Sequence, residues 1–187
     1  MKKLLALLLC GAMLASFAVG CGMKDNNSSD QNQGEVTIDE TTFDKVVDAV
    51  KGEYGDDYLP SMMMDEERFV EATGINMENV DKFYAEEPMI GTQVDKFFAI
   101  KAKDGKGEEV EKELNAYRDV LVNDSLQFPM NIAKVEASEV VRHGDYVYFV
   151  MLGKYNEDDD ADEASALEFA KNETKRGLDK IASFFNM

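Results

Sequence analysis

The sequence predicts an α+β domain in which an antiparallel sheet of about four strands is packed by helices, one N-terminal to the sheet and one C-terminal. Three patterns carry that prediction. Apolar residues recur at intervals of three and four along Phe43–Tyr54 and again along Leu167–Phe185, which gathers them on one face of a helix. Val94–Ala102 and Tyr146–Leu152 are rich in β-branched and aromatic residues and are bounded by turn-forming residues. Between Lys134–Val141 and Tyr146, the run Arg142-His143-Gly144-Asp145 has the chemistry of a tight hairpin, with His143-Gly144 as its two-residue turn.

Residues 1–20 have the layout of a bacterial lipoprotein signal peptide. Lys2 and Lys3 precede an apolar run, Leu4–Val19, that is short for a bilayer-spanning helix, and small Gly20 stands before Cys21. Ala18 sits where such signals more often carry Leu. An uncleaved membrane helix is the rival, and the polar stretch Met23–Ser29 that follows at once speaks against it. Lipidation at Cys21 would make the membrane a partner, because two acyl chains, at about 0.8 kcal/mol per buried methylene, hold a protein stably without a span. The expected location is the extracellular face of the cell membrane. Residues 21–35, rich in Asn, Ser, Asp and Gln, are a flexible tether. A coil of about 15 residues spans on the order of 20 Å. Residues 36–187 then make a single domain.

Charge excludes one class of partner. The chain carries 20 basic and 38 acidic residues, a formal charge of −18 that becomes −20 once Lys2 and Lys3 leave with the signal. Nucleic-acid binding needs clustered Lys and Arg to release counterions, so no nucleic acid is expected. Cys10 leaves with the signal and Cys21 takes the lipid, so the domain has neither a disulfide nor a thiol nucleophile.

In chain order, Thr41-Thr42-Phe43-Asp44 opens a helix that ends near Gly52–Gly55, and Pro60 interrupts the segment that follows. Asp65 is the N-cap of the next helix, with Met64 and Phe69 in the two positions of a hydrophobic staple and Gly74 as its stop. Asn76 caps a short turn before a strand, Val80–Glu86. Pro88–Gln93 turns the chain into the strand Val94–Ala102. Glu108, Glu109 and Glu111 mark a helix start, and Val110, Leu114, Tyr117 and Leu121 form its apolar stripe. Gln127–Asn131 reads as a loop and Lys134–Val141 as a strand. Tyr146–Leu152 is apolar on both faces, so it should lie centrally with helices covering each side. An acidic connection leads to the last helix, which has acids first and bases last.

Few residues suggest chemistry. His143 is the only histidine; with Asp145 orienting it and Ser138 or Ser125 as nucleophile it could serve acid–base catalysis, although a conformational role in a hairpin explains it as well. Asp158, Asp160 and Asp162 reproduce the first three ligand positions of a calcium loop. That metal candidate fails at Glu163, where Gly is required, and at Phe169, where a bidentate Glu belongs, and a solvated acidic run explains it better. No metal or other cofactor is implied. Met62-Met63-Met64 suits either core filling or an adaptable pocket, and Tyr84, Tyr117 and Tyr155 could grip a sugar or peptide if exposed.

Three runs carry a resemblance: Phe83-Tyr84-Ala85-Glu86-Glu87-Pro88-Met89-Ile90, Val110-Glu111-Lys112-Glu113-Leu114-Asn115-Ala116-Tyr117-Arg118 and Val140-Val141-Arg142-His143-Gly144-Asp145-Tyr146-Val147. Through them the chain resembles the Firmicutes lipoproteins gathered as domain of unknown function 4358, over roughly Phe43–Leu152. The resemblance implies an extracytoplasmic lipoprotein of a Gram-positive bacterium and supplies no activity. The expected function is a lipid-anchored binding or accessory module of the cell envelope, its partner an envelope protein or polymer. The alternative is an envelope hydrolase or acyl-transfer enzyme using His143.

Overall fold

The computed structural model describes residues 40–158 and 160–185, so the expected signal, Cys21 and the tether lie outside the described residues. Helix α1 (Glu40–Tyr54) comes first, and β1 (Met62–Met63) and α2 (Glu66–Thr73) follow. The β2 (Val80–Glu87) and β3 (Lys96–Ala102) hairpin leads to α3 (Gly107–Asn123) and α4 (Pro129–Glu136). The β4 (Glu139–His143) and β5 (Tyr146–Met151) hairpin leads to α5 (Glu163–Ala182). The class is α+β, as expected.

Among the described residues the sheet has five strands rather than about four, in the order β1-β2-β3-β5-β4, and every neighbouring pair is antiparallel. The additional strand is β1, two residues that pair with Glu86 and Glu87. A pair of residues beside Pro60 has no periodicity to read. The central strands β3 and β5 are buried along both faces, and side-chain alternation divides the core between them. Phe98, Ile100, Val147 and Phe149 face Phe69 of α2 and Val110, Leu114 and Tyr117 of α3. Phe97, Ala99, Tyr148 and Val150 face Phe43, Val46 and Val50 of α1 and Ile181 of α5. Tyr117 is therefore a core residue, packed on Phe98 and Phe149, and not an exposed gripping ring.

Local signals explain three helix ends. Asp65 accepts from the Arg68 amide, Gly74 adopts φ +70 as the stop of α2, and Asp162 accepts from the Ser165 amide to cap α5. Two expectations fail nearby. Pro129–Glu136 is a helix, not a loop running into a strand, because Pro129 occupies the first turn, where a proline is pre-organised for helix. The hairpin turn is Gly144-Asp145, one residue later than expected, since His143 is still paired with Tyr146 and Gly144 takes φ +62.

Ion pairs give the domain two recognisable poles. Asp44 at the start of α1 pairs with Lys82 near the start of β2 at 2.7 Å, while Lys51 near the end of α1 pairs with Glu86 near the end of β2 at 3.0 Å. Helix α1 thus runs alongside β2, and the described chain enters at the pole that holds the Gly144-Asp145 turn. The β2–β3 turn, α4 and the connection from β5 to α5 lie at the far pole.

Candidate functional site

A groove at the far pole, of about 330 Å³, opens between α4 and α5. Pro129, Met130 and Ala133 form one wall, Ala166, Phe169 and Ala170 the other, and Asp158 stands at its lip. Alanines on both walls hold the helices close while leaving space between them.

Beneath it lies a buried ion pair. Lys134 of α4 is 3 % exposed and Asp95, just before β3, is fully buried, with Nζ donating to Oδ1 at 2.9 Å. The same ammonium donates to the Gly153 carbonyl at 2.6 Å and lies 3.6 Å from the centre of the Tyr155 ring. Tyr155 Oη donates to Asp95 Oδ2 at 3.3 Å. Burial pushes the Asp95 carboxyl above its ordinary range and the Lys134 ammonium below its own, and the Tyr155 hydroxyl is pushed up to about 12 by burial and the nearby Asp95 charge. Mutual attraction and these hydrogen bonds are what keep two charges in so dry a place. Lys134, Tyr155 and Asp158 all line the groove, so the pair fixes its floor.

Two further carboxylates, Glu86 and Glu87, are buried at the same end of the sheet. Being consecutive on a strand they point to opposite faces. Glu86 takes Lys51 and the Tyr58 hydroxyl, at 3.0 and 2.8 Å; Glu87 takes Arg68 and, at 2.9 Å, Lys96. Burial raises the Glu87 pKa, but Lys96 and Arg68 outweigh it and hold the carboxyl below its ordinary range. Both carboxylates are fully occupied by structural partners.

The candidate catalytic residues of the alternative reading do not converge. Asp145 accepts from the Gly105 and Gly107 amides, each at 3.0 Å, which docks the hairpin turn on the start of α3. Arg142 adds a bond to Glu111 at 2.7 Å. Ser138 donates to the Val135 carbonyl and Ser125 to that of Leu121. Ser138 precedes His143 by five residues along an extended strand, on the order of 17 Å. His143 stacks on Phe185, ring centres 4.4 Å apart, and its Nε2 is buried with no hydrogen-bond partner among the described residues.

That environment sets a pH dependence. Burial lowers the His143 pKa, so the fold prefers the neutral ring; its contribution is present above the unfolded value near 6.5 and is lost as pH falls through the folded one. His143→Phe keeps the stacking and removes the titration. Unfolding midpoints at pH 7.5 and 5.5 should therefore differ less in the variant than in the parent chain.

The calcium-loop candidates are also placed apart in role. Asp158 accepts from the Asp160 amide at 3.0 Å and Asp162 caps α5, while Asp159 lies outside the described residues. Among the described residues no three His, Cys, Asp or Glu side chains are grouped so as to hold a metal ion. The Met triplet divides: Met64 is core, whereas Met62 and Met63 are exposed on β1.

The sequence reading missed Asp95 and Lys134. Their one signal is charge set between apolar neighbours, Val94-Asp95-Lys96-Phe97 and Ile132-Ala133-Lys134-Val135. No curated protein and no solved structure matches the chain. The Glu86-Glu87 pair and the Arg142–Tyr146 run that carried the resemblance now have structural roles, at the sheet's far end and at the dock of α3. Residues 53–152, just over half of the chain, match the family model described as Domain of unknown function (DUF4358), and the chain belongs to that family.

Proposed function

We propose that the chain is a lipid-anchored binding or accessory module of the cell envelope, attached through Cys21 at the extracellular face of the membrane and meeting its partner at the far pole. The single observation that supports this reading is the separation of the poles. The described chain enters at one end of the sheet, and the α4–α5 groove opens at the other. A domain held by its N-terminal side keeps that groove clear of its own point of attachment. The anchor itself rests on Lys2, Lys3, the short apolar run and Gly20-Cys21. Among the described residues no helix is long and apolar enough to cross a membrane.

Cys21→Ala should move the chain from the membrane fraction to the soluble one. Mass spectrometry of the parent protein should show a diacylated Cys21 at the amino terminus. A chain that begins at Met1 with a free thiol would overturn the reading, as would a detergent-solubilised protein that captures no saturable partner from envelope extracts.

A further inference from the structure

Nine large apolar side chains are exposed among the described residues: Met62, Met63, Met89, Ile90, Val120, Leu126, Phe128, Met130 and Ile132. Their positions are not scattered. Met62 and Met63 pair with the last residues of β2, Met89 and Ile90 lie in the β2–β3 turn, and Leu126–Ile132 runs from the end of α3 into α4. The Asn131 side chain donates to the Thr92 carbonyl at 3.0 Å, which joins α4 to the β2–β3 turn. Val120 lies in the last turn of α3, on the same half of the domain. Isolated exposed apolar residues are ordinary, but their concentration on one side marks an interaction surface.

Charge identifies the occupant. Residues 88–94 and 125–135 contain no acid, although the chain has 38, and the latter run includes the wall of the groove that Met130 forms. Beyond the opposite lip, acids gather: Asp158 at the groove itself, then Asp56, Asp57 and Glu157 around an adjoining notch that shares Lys154 and Tyr155 with it. Lys154 and Arg176 offset Asp57, at 3.6 and 3.9 Å. The surface is thus apolar on the α4 side and acidic on the side of the β5–α5 connection. An anionic bilayer would meet the acids with its own charge, and a second copy of a chain at −18 would bring acid against acid.

We propose that the α4–α5 groove receives a basic amphipathic protein segment, one large apolar side chain entering between Met130 and Phe169 while flanking Lys or Arg residues meet Asp56, Glu157 and Asp158. A volume of about 330 Å³ is at the small end of ligand pockets, which suits a side chain or two and not a whole cofactor. Met130 on its wall is one of four methionines among the nine exposed apolar side chains, and a thioether suits a partner surface that re-packs on contact. This inference rests on the binding-module reading and names the chemistry of its partner.

The test uses the full chain in detergent and a labelled helical peptide of about 18 residues made of Leu and Lys, with a Leu/Glu peptide of the same pattern as control. Fluorescence anisotropy should show saturable binding of the Leu/Lys peptide alone. Met130→Glu and the double variant Asp56→Lys/Glu157→Lys should each weaken it about tenfold, at unchanged melting temperature, and Glu108→Lys at the start of α3 should change it less than about twofold. Equal losses in Glu108→Lys and the double variant would mean general attraction to an acidic surface and would overturn the proposal, as would full affinity in Met130→Glu. Met130-dependent binding of Cys21→Ala to phosphatidylglycerol vesicles would put a membrane there instead, and a Met130-dependent dimer in sedimentation would put a second copy there. Retention of Cys21→Ala at the membrane strikes the module reading and leaves the peptide result standing, so the two failures can be told apart.

Discussion

Asp95→Asn should lower the unfolding free energy by about 3–5 kcal/mol, the cost of leaving the Lys134 ammonium buried without its anion. A domain stability of about 5–15 kcal/mol makes that loss large. The variant should also acquire a characteristic pH profile. Burial already holds the Lys134 pKa below its ordinary value, and the loss of Asp95 removes the charge that opposes this. A lysine whose folded pKa is depressed stabilises above its unfolded value and loses that contribution as pH falls through the folded one. Asp95→Asn should therefore be more damaged at pH 6 than at pH 9 in urea unfolding. Asp95→Leu/Lys134→Met, which replaces both charges with apolar groups, should recover much of the loss. Equal stability of Asp95→Asn and the parent chain across that range would show that water reaches the pair.

The second large effect is expected at Gly107→Ala. A Cβ there would stand 2.2 Å from the Gly144 carbonyl oxygen and 3.0 Å from the Asp145 Cα, both backbone atoms of the hairpin turn that cannot swing aside. Relief requires the start of α3 to move off the turn, which strains the hydrogen bonds that the Gly105 and Gly107 amides donate to the Asp145 carboxylate. Overpacking of this kind costs about 3 kcal/mol. Gly52→Ala, inside α1 with nothing within 4 Å of the new carbon, serves as the opposite control and should stabilise by about 0.5–1 kcal/mol. Thermal unfolding of the two single variants should move in opposite directions.

The elements that the sequence disclosed are those with local causes. Val110, Leu114 and Tyr117 fall on one side of α3 by spacing alone, and Asp65, Gly74 and Asp162 end helices through their own side-chain or backbone chemistry. Tyr146–Leu152 announced a central strand because it offers no polar face. What stayed hidden depends on residues far apart in the chain. Asp95 and Lys134 are 39 positions apart, and each looks like an ordinary solvated charge until the fold removes the water. Met62 and Met63 become a strand only because Glu86 and Glu87 are beside them. The start of α4 is legible in principle, since Phe128-Pro129 opens a helix as readily as it breaks one, but β-branched Val135, Val140 and Val141 give Lys134–Val141 the look of a single strand. His143 illustrates the opposite case. A lone histidine next to an aspartate invites a catalytic interpretation, and only the ring of Phe185 and the amides of Gly105 and Gly107 reveal that each side chain is engaged elsewhere.

One face of the sheet is closed by the first and last helices together. The Tyr54 hydroxyl donates to the Glu173 carbonyl at 2.8 Å and accepts from the Gly177 amide at 3.0 Å, while Arg176 reaches the Glu53 carbonyl. During synthesis Tyr148 and Val150 consequently lack the cover of α5 until that helix has emerged, so this half of the core, which Ile181 completes, cannot consolidate from α1 and the sheet alone. The family-matched stretch of 53–152 contains the five strands but only the last two residues of α1 and none of α5. Expressed alone, it would be a sheet with one greasy side open to solvent, which makes the recognisable family segment smaller than the unit that folds.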